Sequence, residues 1–366
     1  MPSIFSISTY APPHKLHQDD TMEFARELFS ESYEDIERLL TVFGNGQIDE
    51  RYFAAPMEWF HQPHTLKERN DLFIELAVKY GVECIRGCLQ NTQFLKRRVG
   101  VDEVDAIICV TSSGMATPGL EARMMNHLSF DEHTKRIPIW GLGCAGGAAG
   151  LSRAFDYCLA HPKENVLLVC VELCSLTFQH NDHSKSNLIG TSLFADGVAC
   201  ALIGGDLSQL RYDLVKDTSP AYHGSQSTLM PQSEDIMGWD VRDSGLHVVF
   251  SRSIPGIVEK WLKPNVEEFL QSEGVGLSEI DAFIAHPGGK KVLESYEKAL
   301  GFSSEKTHVS REVLRKFGNM SSPTVLYVLK EFMEEDQALG YRGLMAALGP
   351  GFCSELVHLE WQGAIH

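Results

Sequence analysis

The chain has no apolar run close to the roughly 18 residues that a membrane-spanning helix requires; its longest, Val166-Leu167-Leu168-Val169-Cys170-Val171, has the length of a buried strand. It also has no surplus of basic charge. Lys and Arg number 32 against 49 Asp and Glu, a net charge of -17, which argues against a nucleic-acid-binding surface and leaves any anionic substrate to be met by a local basic cluster. Nine cysteines form an odd set without framework spacing, and the two CxxxC pairs, Cys84/Cys88 and Cys170/Cys174, lack clustered histidine partners. Reduced thiols are therefore expected, with neither disulfides nor a zinc site. There is no low-complexity segment. The opening "MPSIFSISTYAPPHK" has no basic stretch leading into a long apolar segment, so a secretory leader is not expected and a cytoplasmic address follows.

What is present is ordinary for a folded protein, 43% hydrophobic and 22% charged over 366 residues, but it is written twice. "VDAIICVTSSG" and "IDAFIAHPGG" are each an apolar residue, Asp, Ala and then a strand ending in a turn of small residues. The first leads to a strand, turn and helix around Cys144, then strands Leu167 to Val171 and Val198 to Ile203. The second leads to "FGNMSSPTVLYVLKE", then strands Leu344 to Leu348 and Leu356 to Trp361. Forty positions separate Val104 from Cys144, and thirty-nine separate Ile280 from Asn319. The pattern predicts an α/β protein of two pseudo-duplicated halves, residues 1–215 and 216–366, with helices between and outside the sheets. Helices are expected over 20–43, 66–98 and 255–273, and 205–250 reads as a connection plus a surface hairpin.

"GLGCAGGAAG", residues 141–150, surrounds one thiol with almost no side chain. A Cys at a strand-to-helix turn lies close to backbone N–H groups, which lower a thiol pKa, and the glycines and alanines let the following helix sink into a packed centre. Taken alone, the stretch is equally a helix-packing turn that holds a small hydrophobe. The second half adds His286, directly after a strand in "AHPGG", and Asn319, at the repeat position of Cys144. The repeat brings the three groups together near its pseudo-twofold axis.

On these residues the chain resembles the type III polyketide synthases, the chalcone synthase-like family, and most closely its bacterial alkylpyrone and alkylresorcinol synthase branch. The resemblance runs through "TSSGMATPG" (111–119), "GLGCAGGAAGL" (141–151), "VCVELCSLTF" (169–178), "LIGTSLFADGVACALIGGD" (188–206), "AHPGGKKVL" (285–293), "GNMSSPTVLYVL" (318–329) and "GPGF" (349–352). It implies a thiolase-like five-layered αβαβα architecture and a Cys144, His286, Asn319 triad. Cys144 takes an acyl group from acyl-CoA, and His286 keeps the thiolate ionised as an imidazolium. His286 and Asn319 then hold the enolate formed as malonyl-CoA loses CO2. It further implies Phe194 as a gatekeeper, cavity positions Ser112, Thr117, Cys174, Thr177, Val248 and Ser321, and a homodimer reached across by Thr117. Fatty acyl-CoA and malonyl-CoA are the implied substrates, and alkyl-α-pyrones or alkylresorcinols the products. Coenzyme A enters only as part of the substrates, with no metal or redox cofactor.

Val248 replaces a bulky aromatic of the plant branch, which implies room for a longer acyl chain. The N-terminal stretch that carries several CoA-binding basic residues in the plant enzymes keeps only Arg38 and Arg51 here, so Lys290, Lys291, Arg311, Arg315 and Lys316 become candidates for the phosphates. An initiating ketoacyl-carrier-protein synthase shares the duplication and the triad, but its His is usually followed by Gln-Ala-Asn rather than the Pro287-Gly288-Gly289 found here. A non-catalytic scaffold on this fold would lack the reactive groups. A cysteine hydrolase would share them but would release free acid.

Overall fold

The apolar run at Val166 lies inside a nine-residue strand with no exposed member, and an α/β sandwich is built outward from it. In the computed structural model, which describes residues 1–364, the first half contributes β1 (Ser3–Tyr10), a small antiparallel pair β2 (His14–His17) and β3 (Glu50–Phe53), then β4 (Ala106–Thr111), β5 (Lys135–Trp140), β6 (Asn165–Leu173) and β7 (Asp196–Gly204). The second contributes β8 (Thr218–Leu229), the hairpin β9 (Met237–Arg242) and β10 (Gly245–Phe250), then β11 (Ala282–Ala285), β12 (Arg342–Gly349) and β13 (Cys353–Gly363).

Nine strands run in the order β11-β12-β13-β8-β1-β7-β6-β4-β5. β4 is parallel to β6, which is antiparallel to β7, which is antiparallel to β1. β11 is parallel to β12, β12 antiparallel to β13, and β13 antiparallel to β8. The same senses recur in the same order, so the repeat read from the sequence is also a repeat of strand topology. β5, parallel to β4 at the outer edge, has no counterpart. The two sets meet through a single residue pair, Ser3 with Ala221.

Between them lie the helices Gly146–Ala160 and Thr324–Glu334, which touch each other and strands of both halves. Leu66–Leu89 covers the first half, and Ile254–Ser272 with Lys290–Leu300 covers the second. This is the thiolase-like layering expected. Gly146 to Ser152 are all buried, as a helix packed on every side requires. A Cβ on Gly147 would lie 2.2 Å from the carbonyl oxygen of Ser322, and one on Gly150 2.7 Å from Leu168.

Three expectations change in detail. The helix expected over 20–43 is two, Gln18–Phe29 and Ile36–Asn45, broken where the Ser30 hydroxyl bonds back to the Glu27 carbonyl in a short turn. The helix from 66 stops at Leu89 rather than 98, because the Asn91 side chain takes the Gln93 N–H and donates to Ile7 of β1. Within 205–250 the hairpin is present, but the supposed connection also holds β8, a twelve-residue sheet strand whose half-polar face and Pro220 hid it.

The close approach at Gly147 makes a stability prediction. Gly147→Ala must push against backbone, and is expected to destabilise by about 1–3 kcal/mol in urea unfolding. Gly256→Ala, in a helix with nothing within 4 Å of the added Cβ, is expected to stabilise by roughly 0.5 kcal/mol. Equal effects would mean that the helix is not held as described.

Candidate active site

Gly141 and Gly143 carry φ of +92° and +48°, a left-handed backbone that turns β5 sharply into the single helical turn Gly143–Ala145. The Gly143 N–H donates to Ser112 Oγ at 2.9 Å, and Cys144 is presented, only 9% exposed, at the foot of the central helix. Its Sγ lies 3.8 Å from Asn319 Oδ1. That oxygen also accepts from the Ser321 N–H at 2.8 Å, while Asn319 Nδ2 donates to Gly288 O at 3.2 Å, so the amide is fixed from both ends and keeps one hydrogen to give. His286 follows β11, its N–H donating to Ala346 O; the ring is buried and neither nitrogen has a partner among the described residues.

Cys144, His286 and Asn319 line one cavity of about 420 Å³. Buried Tyr296 and Leu348 form its floor, and exposed Asn45, Arg252 and Lys291 mark its mouth beside Lys290. A second, much narrower pocket is walled by Phe24, Phe53, Met57, Phe60 and Phe178 together with Cys174, Thr177, Phe194 and Val248. The Phe194 ring stacks at 5.5 Å on Phe250, which lines the first cavity, and so stands between the two.

Glu172, in an otherwise apolar strand, is the residue the sequence reading missed. Its Oε2 accepts from the N–H groups of Ser112 and Ser113, each at 3.0 Å, and from Ser113 Oγ at 2.6 Å, while Oε1 accepts from Ser322 Oγ at 2.8 Å. One carboxylate thus ties the turn that holds Cys144 to the turn after Asn319, and burial pushes its pKa up to about 7. A lone acid inside "VCVELC" was the available signal. Arg252 and Tyr296 gave none.

The remaining candidates divide. Ser112 is buried behind Cys144, Ser321 stands beside it at φ +61°, and Thr117 is exposed. Lys290, itself 3.8 Å from the Glu294 carboxylate, and Lys291 line the cavity that holds Cys144, but Arg38 and Arg315 do not. Arg38 is exposed and paired with Asp35, and Arg315 is paired with Asp49 and Glu312. Arg311 and Lys316 are likewise taken up by Glu297 and Glu312. Arg51, far from meeting solvent phosphate, is fully buried.

The expected lowering of the thiol pKa is not found. Burial raises Cys144 to about 11, outweighing the hydroxyl of Ser321 and the Asn319 amide, and burial alone lowers His286 to about 3. Neither charge stands by itself in this pocket. Were the thiol proton passed to the imidazole, both charges would form together and each would compensate the other.

The chain is similar to known proteins over nearly its whole length. The sequence profile of the chalcone and stilbene synthases, N-terminal domain, matches residues 3–207, and that of the C-terminal domain matches 222–360. A protein of Bacillus subtilis (strain 168) named "Putative chalcone synthase" is 49% identical over 99% of both chains. The alpha-pyrone synthesis polyketide synthase-like Pks18 of Mycobacterium tuberculosis (strain ATCC 25618 / H37Rv) is 29% identical over 96% of this chain and 89% of its own. The crystal structure of 1,3,6,8-tetrahydroxynaphthalene synthase from Streptomyces coelicolor A3(2), a bacterial type III polyketide synthase, superposes with a TM-score of 0.89 at 29% identity over 99% of this chain and 100% of that one.

Alkylation of Cys144, followed by peptide mass mapping across a pH series, reads the pairing directly. In His286→Ala the thiol is left to its own burial, and its reactivity is expected to keep climbing toward the alkaline value of about 11. The intact protein should reach the same rate at lower pH. Superimposable profiles would show that the imidazole does not ionise the thiol.

Proposed function

The chain belongs to the chalcone and stilbene synthase family, the type III polyketide synthases, acyltransferases that condense malonyl-CoA, and from that premise we propose that it extends long-chain fatty acyl-CoA starters to alkyl-α-pyrones, with alkylresorcinols as a second outcome. Family membership sets aside the initiating ketoacyl-carrier-protein synthase and the hydrolase.

In this reading Cys144 Sγ attacks the starter thioester as its proton passes to His286, and CoA leaves as the thiol. Malonyl-CoA then enters past Lys290 and Lys291, whose ammonium groups meet the CoA phosphates. It loses CO2 while His286 and the free Asn319 N–H hold the enolate oxygen. The carbanion attacks the Cys144 thioester and expels the thiolate, and the lengthened chain returns for another round. Two extensions give a triketide that closes as a lactone to a pyrone or, one extension later, a tetraketide that closes by aldol condensation to a resorcinol. Cysteine, imidazole and amide supply every step, so the proposal includes no metal or redox cofactor.

The observation that carries the long starter is the second pocket, narrow in this structure, walled by Phe24, Phe53, Met57, Phe60 and Phe178 behind Phe194, with Val248 leaving room for a tail to widen it. A tail placed there leaves its thioester at Cys144. The similarity to an alpha-pyrone synthesis protein supports the product class. A homodimer is part of the proposal: the edge strand β5 ends in Trp140, 49% exposed, whose Nε1 donates to Gly114 O beside Met115, 37% exposed, and this apolar surface adjoins exposed Thr117. No helix among the described residues is long and apolar enough to cross a membrane, and the cytoplasmic address stands as a proposal beside it.

Mass spectrometry of organic extracts after incubation with malonyl-CoA and acyl-CoA starters of increasing length tests the function. Long starters are expected to give alkylpyrones, Cys144→Ala to give none, and Val248→Phe to lower kcat/KM for the longest starters by on the order of tenfold while sparing short ones. Free acid alone, or products from short starters only, would sink the reading. In light scattering, Trp140→Glu is expected to convert dimer to monomer; an unchanged mass would exclude this surface.

A further inference from the structure

Arg51 is the least expected side chain in the molecule. It sits on β3, 0% exposed, with no carboxylate in direct contact. Its Nη1 donates to two main-chain oxygens, Thr191 O at 2.5 Å and Phe194 O at 2.9 Å, while Nε and Nη2 are buried without a partner among the described residues. The nearby Asp196 is satisfied elsewhere, accepting from the N–H groups of Ala54 and Ser175, each at 2.6 Å. A cation kept only for stability would be expected to use its donors fully, because each buried orphan carries a desolvation cost. This one is committed to the backbone of a single segment, 191–194.

That segment holds the ring between the two cavities. It also touches the chemistry: the Asn319 N–H donates to Leu193 O and the Ala195 N–H to Asn319 O, each at 2.9 Å, so Phe194 and Asn319 are bridged main chain to main chain. Behind them the Arg51 stem fills the space that a side chain on Gly318 would need, 2.8 Å from its Cγ, and the guanidinium lies 5.5 Å from the Phe53 ring, which lines the apolar cavity with Phe194.

We propose that Arg51 is a positioning residue for the Phe194 gate, fixing the gate's carbonyl and so deciding which acyl chains pass from Cys144 into the apolar cavity. The inference rests on the reading of that cavity as the site of the starter tail. Removing the two hydrogen bonds frees the segment to shift by a fraction of an ångström. A shift passed on to Asn319 lowers turnover of every starter alike and cancels in a ratio; only a long starter must also thread the ring.

The test is the ratio of kcat/KM for long over short acyl-CoA starters, measured with thermal unfolding on Arg51→Met, Arg51→Lys and Phe194→Ala. Arg51→Met is expected to change the ratio by on the order of 10- to 100-fold, and Arg51→Lys, whose ammonium reaches one carbonyl, to recover part of it. A uniform fall for all starters that follows the loss of thermal stability would overturn the proposal, because Arg51 would then serve the fold alone. Should Arg51→Met fail to fold, Arg51→Lys decides: a shifted ratio supports the gate role, a parental ratio overturns it. If Phe194→Ala leaves the ratio unchanged, the two-cavity reading itself fails. If it moves the ratio and neither Arg51 variant does, only the role of Arg51 fails.

Discussion

The carbonyl oxygen of Ser322 occupies the place where any side chain on Gly147 would have to be, and the catalytic geometry depends on that contact. The central helix can carry Cys144 to within reach of Asn319 only if the turn after Asn319 presses directly on its first residues. Glu172 locks the same joint from the other side, drawing Ser112 and Ser113 of one half and Ser322 of the other onto one carboxylate. Packing sets the separation of the halves and hydrogen bonding sets their register. The 3.8 Å from sulfur to amide oxygen results from both.

The same closeness governs the electrostatics. The pocket that Cys144, His286 and Asn319 line also strips these groups of water, so the thiol and the imidazole resist charge when taken singly. Polar work is therefore divided by depth. Lysines stand at the mouth, where their charge is solvated, the triad lies below them, and the space behind Phe194 is apolar.

Much of this was legible in the residues. The repeat of Asp-Ala strands and small-residue turns carries the duplicated order of strands, and the matched positions of Cys144 and Asn319 correspond to side chains that meet at 3.8 Å. What was illegible shares one cause: it depends on burial by residues far away in sequence. Arg51 reads as a surface cation because its neighbours are polar, yet β3 carries it beneath the gate segment. The motif around Cys144 promises a lowered thiol pKa, and desolvation by the second half reverses it. β8 went unseen because its alternation is blurred by Pro220 and by a polar face, although its neighbours in the sheet complete it. Arg38 and Arg315 were a different case: Asp35 and Glu312, three residues before each, already offered them local partners in the sequence.

The main-chain bridge between Phe194 and Asn319 has a consequence for how such a protein can diversify. Because the gate and the catalytic amide share backbone hydrogen bonds, an insertion or deletion between Leu193 and Ala195 would pull Asn319 out of register with the sulfur. Exchange of a side chain at Cys174, Thr177 or Val248, all on the far wall, would alter the apolar space without that coupling. On the proposed reading, starter preference would change more readily by point replacement on this rigid frame than by the loop-length variation through which many other enzymes acquire new substrates.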